Sequence, residues 1–242
     1  MTVPSTNFSA DMIQAFKMAT GDTNHIHPPY VMGFQLDGIA KRAAVDFLNN
    51  RDLVYAGQTM RFAQPIIQDE EVRFDIQKIG EVVEIRLLKD TIEAAAGKVY
   101  FVRPEELQEK ISEQSDLDEG LEYVVNEEDV AGFHKGIGSG SPYIDPLFLV
   151  ALASNRLIRY FQDFKIPEDK MAVFAKHEIT VYGPITHVNY GDRFLLRVEG
   201  HNYKPGRPLF RVGLSATNPD SKSLYSVNFL LALDDRAKLS LQ

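Results

Sequence analysis

The chain offers one pair of side chains suited to moving a proton. Asp22 and His27 stand five residues apart in Gly21-Asp22-Thr23-Asn24-His25-Ile26-His27. A carboxylate and an imidazole differ in intrinsic proton affinity, so one can accept a proton while the other delivers one. A turn just past a helix can aim both into one cleft, about one water apart. With His25, the same residues have the ligand types of a metal site, but no further ligand clusters with them, so no metal is expected. Other candidates fare worse. The loop Gly136-x-Gly138-x-Gly140 lacks the preceding strand and the spacing of a dinucleotide fingerprint and reads as a turn. His134, His177, His187 and His201 are scattered and read as structural or exposed. No serine nucleophile elbow is present.

The elements that would hold this pair are written twice. Ser9 to Thr20 reads as a short amphipathic helix, with Ser9 as cap and Met12, Ile13, Phe16 and Ala19 on one face. Asn126 to Lys135 repeats it, with Asn126 as cap and Asp129 in the first turn, where the helix dipole favours a negative charge. An offset of 117 carries Phe16 to Phe133 and Gly21 to Gly138. A longer helix follows in each copy. The first is expected from about Gly38 to Leu48, with Lys41, Arg42 and Asp46 on a polar face. The second runs from about Pro146 to Phe161 and opens on an apolar, all-round buried stretch. Strands follow: Gln58 to Ala63, Val72 to Ile79 and Val82 to Lys89, then Ala172 to Tyr182, Phe194 to Asn202, Leu209 to Ala216 and Leu224 to Leu233. Arg61-Phe62-Ala63-Gln64-Pro65-Ile66 is echoed by Thr180-Val181-Tyr182-Gly183-Pro184-Ile185 at an offset of 119. Two helices and a meander, done twice, predict an α+β duplication.

Composition sets the outer bounds. The 242 residues, 44% of them hydrophobic, can bury a full core. There is no cysteine, which excludes disulfides, thiolate metal sites and a cysteine nucleophile. The net charge of −8 is local: from Arg103 to Asp129, eleven acidic side chains face two basic ones, and the rest of the chain carries +1. That run reads as a solvated connector headed by Pro104, with Glu105 to Ser112 as a candidate helix. The expected domains are residues 1–103, an acidic linker over 104–124, and residues 125–242. No basic stripe suggests nucleic acid. No apolar run is long enough to span a bilayer and no secretory signal is visible, so a cytoplasmic location without membrane contact is expected.

Phe8-Ser9, Phe16 and Gly21-Asp22-Thr23-Asn24-x-Ile26-His27, followed by Met60-Arg61-Phe62-Ala63-Gln64-Pro65-Ile66 and Glu71-Val72-Arg73-Phe74, resemble MaoC-like (R)-specific enoyl-thioester hydratases and dehydratases. The resemblance covers Phe8 to Val102 well and Val125 to Leu233 more faintly. It implies a tandem, double hot-dog fold, each unit an antiparallel β-sheet wrapped around a long helix. It further implies hydro-lyase activity at the 2,3 position of an enoyl or (R)-3-hydroxyacyl thioester carried on CoA or an acyl carrier protein, without a cofactor. The catalytic pair carries over onto Asp22 and His27. Asn24 becomes the organiser of their turn, and Gly38 the helix-start glycine whose N–H would meet the thioester oxygen. The family's His-Gly step reads Asp37-Gly38 here, its usual proline between Asn and Ile is His25, and the stretch from His27 to Gly38 is short.

The second copy has Ser139 and Ile144 at the positions matching Asp22 and His27, and neither transfers a proton near neutral pH. One active site per chain is therefore expected, in a pseudo-dimer that is itself able to form a homodimer. Two alternatives stay open at this point. A hot-dog thioesterase also uses a single acidic group, and a non-catalytic acyl-binding protein would need neither residue.

Overall fold

The computed structural model describes residues 5–22, 29–111, 120–141, 143–145, 147–152, 169–183, 188–204 and 206–235. Three helices carry full bounds: α1 (Ala10–Thr20), α2 (Gly33–Leu48) and α3 (Glu127–Gly136). Ten strands accompany them: β1 (Ser5–Asn7), β2 (Val54–Phe62), β3 (Glu71–Ile79), β4 (Val82–Lys89), β5 (Ile92–Val102), β6 (Leu121–Val124), β7 (Lys170–Val181), β8 (Arg193–His201), β9 (Leu209–Thr217) and β10 (Ser223–Asp235). Residues 147–152 are also helical, where the second long helix was expected to start; residues 153–161 of that expectation lie outside the described residues.

All ten strands join one antiparallel sheet in the order β1-β3-β4-β5-β2-β7-β10-β9-β8-β6. Matched in chain order, β1 to β5 and β6 to β10 occupy equivalent places counted from opposite edges. The middle of the sheet is the β2–β7 pair, where Gln58 faces Ile179 and Met60 faces His177. The 119-residue echo carries Gln58 to His177 and Met60 to Ile179, so each pair maps onto the other, as a two-fold relation requires.

Alternation explains the strands. Val72 and Phe74 on β3, and Val83, Ile85 and Leu87 on β4, are buried, while Glu71, Arg73 and Asp75 face solvent. Phe194, Leu196 and Val198 repeat this on β8, and Phe210, Val212 and Leu214 on β9. Each such side chain contributes roughly 1.5–3 kcal/mol through burial. The inner face of β2 to β5 packs on α2. The strand β5 escapes sequence reading because its centre, Ala94-Ala95-Ala96-Gly97, has weak strand propensity. A Cβ on Gly97 would stand 1.9 Å from the Thr59 carbonyl oxygen, so the tight β2–β5 approach demands glycine there.

Three expectations are corrected. First, α2 starts at Gly33, five residues before Gly38, with Met32 as N-cap and no side-chain cap, so no local signal marks the true start. Second, the polar face of Lys41, Arg42 and Asp46 is not one uniform surface: Lys41 is buried, Arg42 half-buried and Asp46 exposed. Lys41 pairs with Asp145 at 2.5 Å, and the Arg42 guanidinium donates to the carbonyls of Ile137 and Gly138 at the end of α3. Third, the connector is not helical over its first part. A single 3-10 turn covers Pro104–Glu106, Ile111 bridges to Lys222, and the last four linker residues form β6.

Candidate functional site

Asp22 sits at the exit of α1. Ser9 caps the helix start, its Oγ accepting from the Met12 N–H, and Gly21 closes the other end with φ 63. The Asp22 N–H reaches the Lys17 carbonyl at 3.0 Å and the Gly21 N–H reaches Met18 at 3.2 Å, a Schellman closure that needs a left-handed residue at Gly21. Asp22 is consequently buried, at 8% exposure, immediately where the chain leaves the helix.

The same closure recurs after α3. Gly138 has φ 62, the Ser139 N–H reaches the His134 carbonyl at 2.8 Å, and the Gly138 N–H reaches Lys135 at 3.1 Å. Every donor and acceptor is the first copy's, moved by 117. The two helices pack against each other, with the Phe16 and Phe133 rings 5.3 Å apart.

Asn24, His25 and His27 lie outside the described residues, and so do the expected pairing of Asp22 with His27 and the turn expected around Asn24. The chain is described again from Pro29. There the Pro29 carbonyl accepts from Gln68, Tyr30 bridges Ile67, and the Val31 N–H donates to Ile66 at 2.9 Å. The β2–β3 connection thus anchors the exit of this segment. It also anchors the start of α1, because the Asp69 N–H donates to the Phe8 carbonyl.

Gly38 is in the second turn of α2, not at its start. An amide at that depth is committed to the carbonyl four residues back. A Cβ on Gly38 would stand 2.6 Å from Ile137 Cγ2, so this glycine lets α2 lie close to the segment after α3. The glycine that opens the helix is Gly33. The amides of the first turn, Gly33 to Gln35, precede the first intrahelical bond, Leu36 N–H to Met32 carbonyl at 3.1 Å. No acidic residue lies in that turn, and the helix dipole makes it a place for developing negative charge.

Sequence reasoning missed the polar groups packed beneath this turn. Asp37 on α2 and His177 on β7 are both fully buried, with Asp37 Oδ2 accepting from His177 Nδ1 at 2.7 Å. Among the described residues, His177 Nε2 and Asp37 Oδ1 have no hydrogen-bond partner, and neither has the side-chain amide of Gln58 or the hydroxyl of Tyr55. Burial, with the Asp37 and Asp145 carboxylates, pushes the Tyr55 phenol well above its ordinary pKa, and Lys41 Nζ lies 4.7 Å from its ring. A signal for His177 did exist. It occupies the place of Gln58 in the 119-residue echo, on a strand expected from Ala172 to Tyr182. Asp37 registers in the sequence only as a departure from a motif. Among the described residues no three His, Asp or Glu side chains gather as a metal site would require.

No protein-family model and no curated protein matches the sequence. Solved structures do match the fold. The full-length peroxisomal multifunctional enzyme type 2 from Drosophila melanogaster superposes with TM-score 0.62 at 11% identity, over 96% of this chain and 48% of that one. This chain therefore spans about half the length of that enzyme. A MaoC-like dehydratase from Phytophthora capsici gives TM-score 0.59 at 10% identity, over 96% of both chains. A putative oleoyl thioesterase from Lactobacillus plantarum gives 0.56 at 10% identity, over 95% and 94%. At such identities the likeness shows the fold: a large antiparallel sheet with few helices, of the hot-dog kind found in MaoC-like dehydratases and thioesterases. Among the described residues, no helix is long and apolar enough to cross a membrane.

Proposed function

We propose that the chain is a double hot-dog hydro-lyase acting at the 2,3 position of an enoyl or (R)-3-hydroxyacyl thioester on CoA or an acyl carrier protein. One observation carries this reading. The same helix-exit turn is built twice with matching hydrogen bonds, and a carboxylate stands in the first turn only, five residues before His27. A purely structural turn needs no carboxylate, as Ser139 demonstrates.

In this reading Asp22 and His27 grip one water. Its oxygen bonds to C3 while one of the pair takes its proton, and the other returns a proton to C2. The electron pair of the double bond passes through the thioester oxygen as an enolate. The first-turn amides of α2, opening at Gly33, offset that charge; losing one such donor costs about 3–4 kcal/mol in other enzymes. Dehydration runs through the same groups in reverse. The C-terminal unit supplies packing and walls, the acidic connector joins the units, and the expected setting is cytoplasmic, as a pseudo-dimer or a homodimer of it.

The test is to assay Asp22→Asn and His27→Ala separately for loss of the conjugated enoyl-thioester absorbance. Wild-type rates in both, with unchanged folding, would overturn the assignment. Thioester hydrolysis is a second reading, favoured by the likeness to the oleoyl thioesterase. Release of free thiol from an acyl-CoA without hydration selects it instead.

A further inference from the structure

The Asp37–His177 pair has no part in the reaction just described, yet it is among the most deeply buried polar features of the molecule. His177 comes from β7, in the C-terminal half, and its contacts converge on the start of α2 in the other half. A Cβ on Gly33 would lie 3.1 Å from His177 Cε1, so the imidazole fills the space that glycine leaves. The Phe34 ring stacks on it at 4.8 Å, tilted by 27°. Asp37, one turn further along, fixes Nδ1 at 2.7 Å. Phe62, Phe174 and Phe229 close the box, with centroids 4.6 to 5.1 Å from the imidazole.

Stability alone does not account for this pair. A buried, charge-capable pair loses hydration on both sides, and an apolar pair of similar volume serves a core as well or better. Here Nε2 also finds no hydrogen-bond partner among the described residues, in an aromatic box, facing a helix start that has no side-chain cap and no first-turn acid. The counterpart of His177 in the 119-residue echo, Gln58, is equally buried but makes no hydrogen bond through either amide atom among the described residues. The anchored version of this position is therefore the one that meets α2, in the half that carries Asp22.

We propose that Asp37 and His177 form a positioning dyad through which β7 fixes the first turn of α2. On the reading above, that turn presents amides to the thioester oxygen. The dyad holds three successive features at once: the backbone of Gly33, the ring of Phe34 and the carboxylate of Asp37. Since no local cap orients the turn, its placement comes from across the boundary between the halves. A misplacement of about 1 Å at such a donor set costs on the order of 100-fold in rate.

The experiment compares wild type with two variants: His177→Gln, and the volume-conserving double variant Asp37→Ala/His177→Phe. The first readout is amide hydrogen exchange in the free protein. We expect the Leu36 amide to exchange at least tenfold faster in both variants, with α1 and α3 amides unchanged and thermal stability close to wild type. The second readout is the infrared carbonyl stretch of bound, 13C-labelled crotonyl-CoA, whose downshift in wild type should shrink in both variants, with kcat lower by 10- to 100-fold and KM little changed. Unaltered Leu36 exchange in the well-folded double variant would overturn the dyad. Faster exchange in the variants, with no downshift in wild type, would refute the thioester reading and leave the dyad standing.

Discussion

The exits of α1 and α3 are the two regions to compare. Each ends in a left-handed glycine, and each returns the same two amide hydrogen bonds to the same two carbonyls. They part at the next side chain, a buried Asp22 against Ser139. The backbone is therefore kept by helix termination and by the packing of α1 on α3, whatever chemistry the turn carries. A conserved shape with an altered side chain separates what the fold requires from what a reaction would require. The largest expected effect follows. Asp22→Asn should lower enoyl-thioester turnover by about 100- to 10,000-fold, the usual worth of a positioned proton-transfer group. Ser139→Ala should leave it within about twofold, because a serine there contributes nothing that titrates near neutrality. Steady-state absorbance assays on the two variants check this. Equal losses would mean that both turns matter only as structure.

The helices that precede these turns are less alike than the turns. Where they cross, α1 presents Ala15 and Ala19 and α3 presents Gly132 and Gly136, again related by 117. A Cβ on Gly136 would stand 2.5 Å from Phe16 Cβ and 3.0 Å from its Cα, and one on Gly132 would stand 2.9 Å from Ala19 Cβ. Making α3 resemble α1 through Gly136→Ala sets two effects against each other. Helix propensity favours alanine by about 1 kcal/mol. Overpacking opposes it by about 1–3 kcal/mol, and the obstructing atoms are backbone and Cβ, which cannot swing aside. We expect a net loss of up to about 2 kcal/mol in urea denaturation. A stabilised Gly136→Ala would show that the crossing relaxes.

The two matching helix exits were legible in the sequence because they rest on local codes: a capping Ser9 or Asn126, a phenylalanine at one spacing, a glycine closing the helix. Alternating strands such as Val82–Lys89 were legible for the same reason. Features set by tertiary approach were not. The start of α2 lacks a cap, so Gly38 took the place of Gly33 in the reading. Ala94 to Gly97 follow the closeness of β2 and not β-propensity, and the polar face of Lys41 and Arg42 gave no hint that they bind Asp145 and the end of α3. Of the candidate site, the place of Asp22 at a helix exit was legible from the closing Gly21. The Asp37–His177 contact joins residues 140 positions apart, and no periodicity within either segment foretells it.

Two buried phenols give the smallest test, one in each half. Tyr225 donates to the Leu149 carbonyl at 2.7 Å, whereas the Tyr55 hydroxyl has no hydrogen-bond partner among the described residues. Tyr225→Phe should cost about 1 kcal/mol at pH 7 for the lost bond. Tyr55→Phe should be neutral or slightly stabilising, within about 0.5 kcal/mol, because an unmet buried hydroxyl is removed. Burial raises both phenols above the ordinary value of 10.0, and the Asp37 and Asp145 carboxylates add to the effect at Tyr55. Below that value the phenol is neutral in both the folded and the unfolded chain, so the groups leave the pH dependence unaffected there. Above it the unfolded chain releases protons that the folded protein retains, and stability falls as pH rises. Each substitution removes one such proton, so both variants should lose stability less steeply than wild type from pH 10 upward. At neutral pH they should separate. Matching losses at pH 7 would mean that the Tyr55 hydroxyl has found a partner after all, and that the two halves bury their phenols alike.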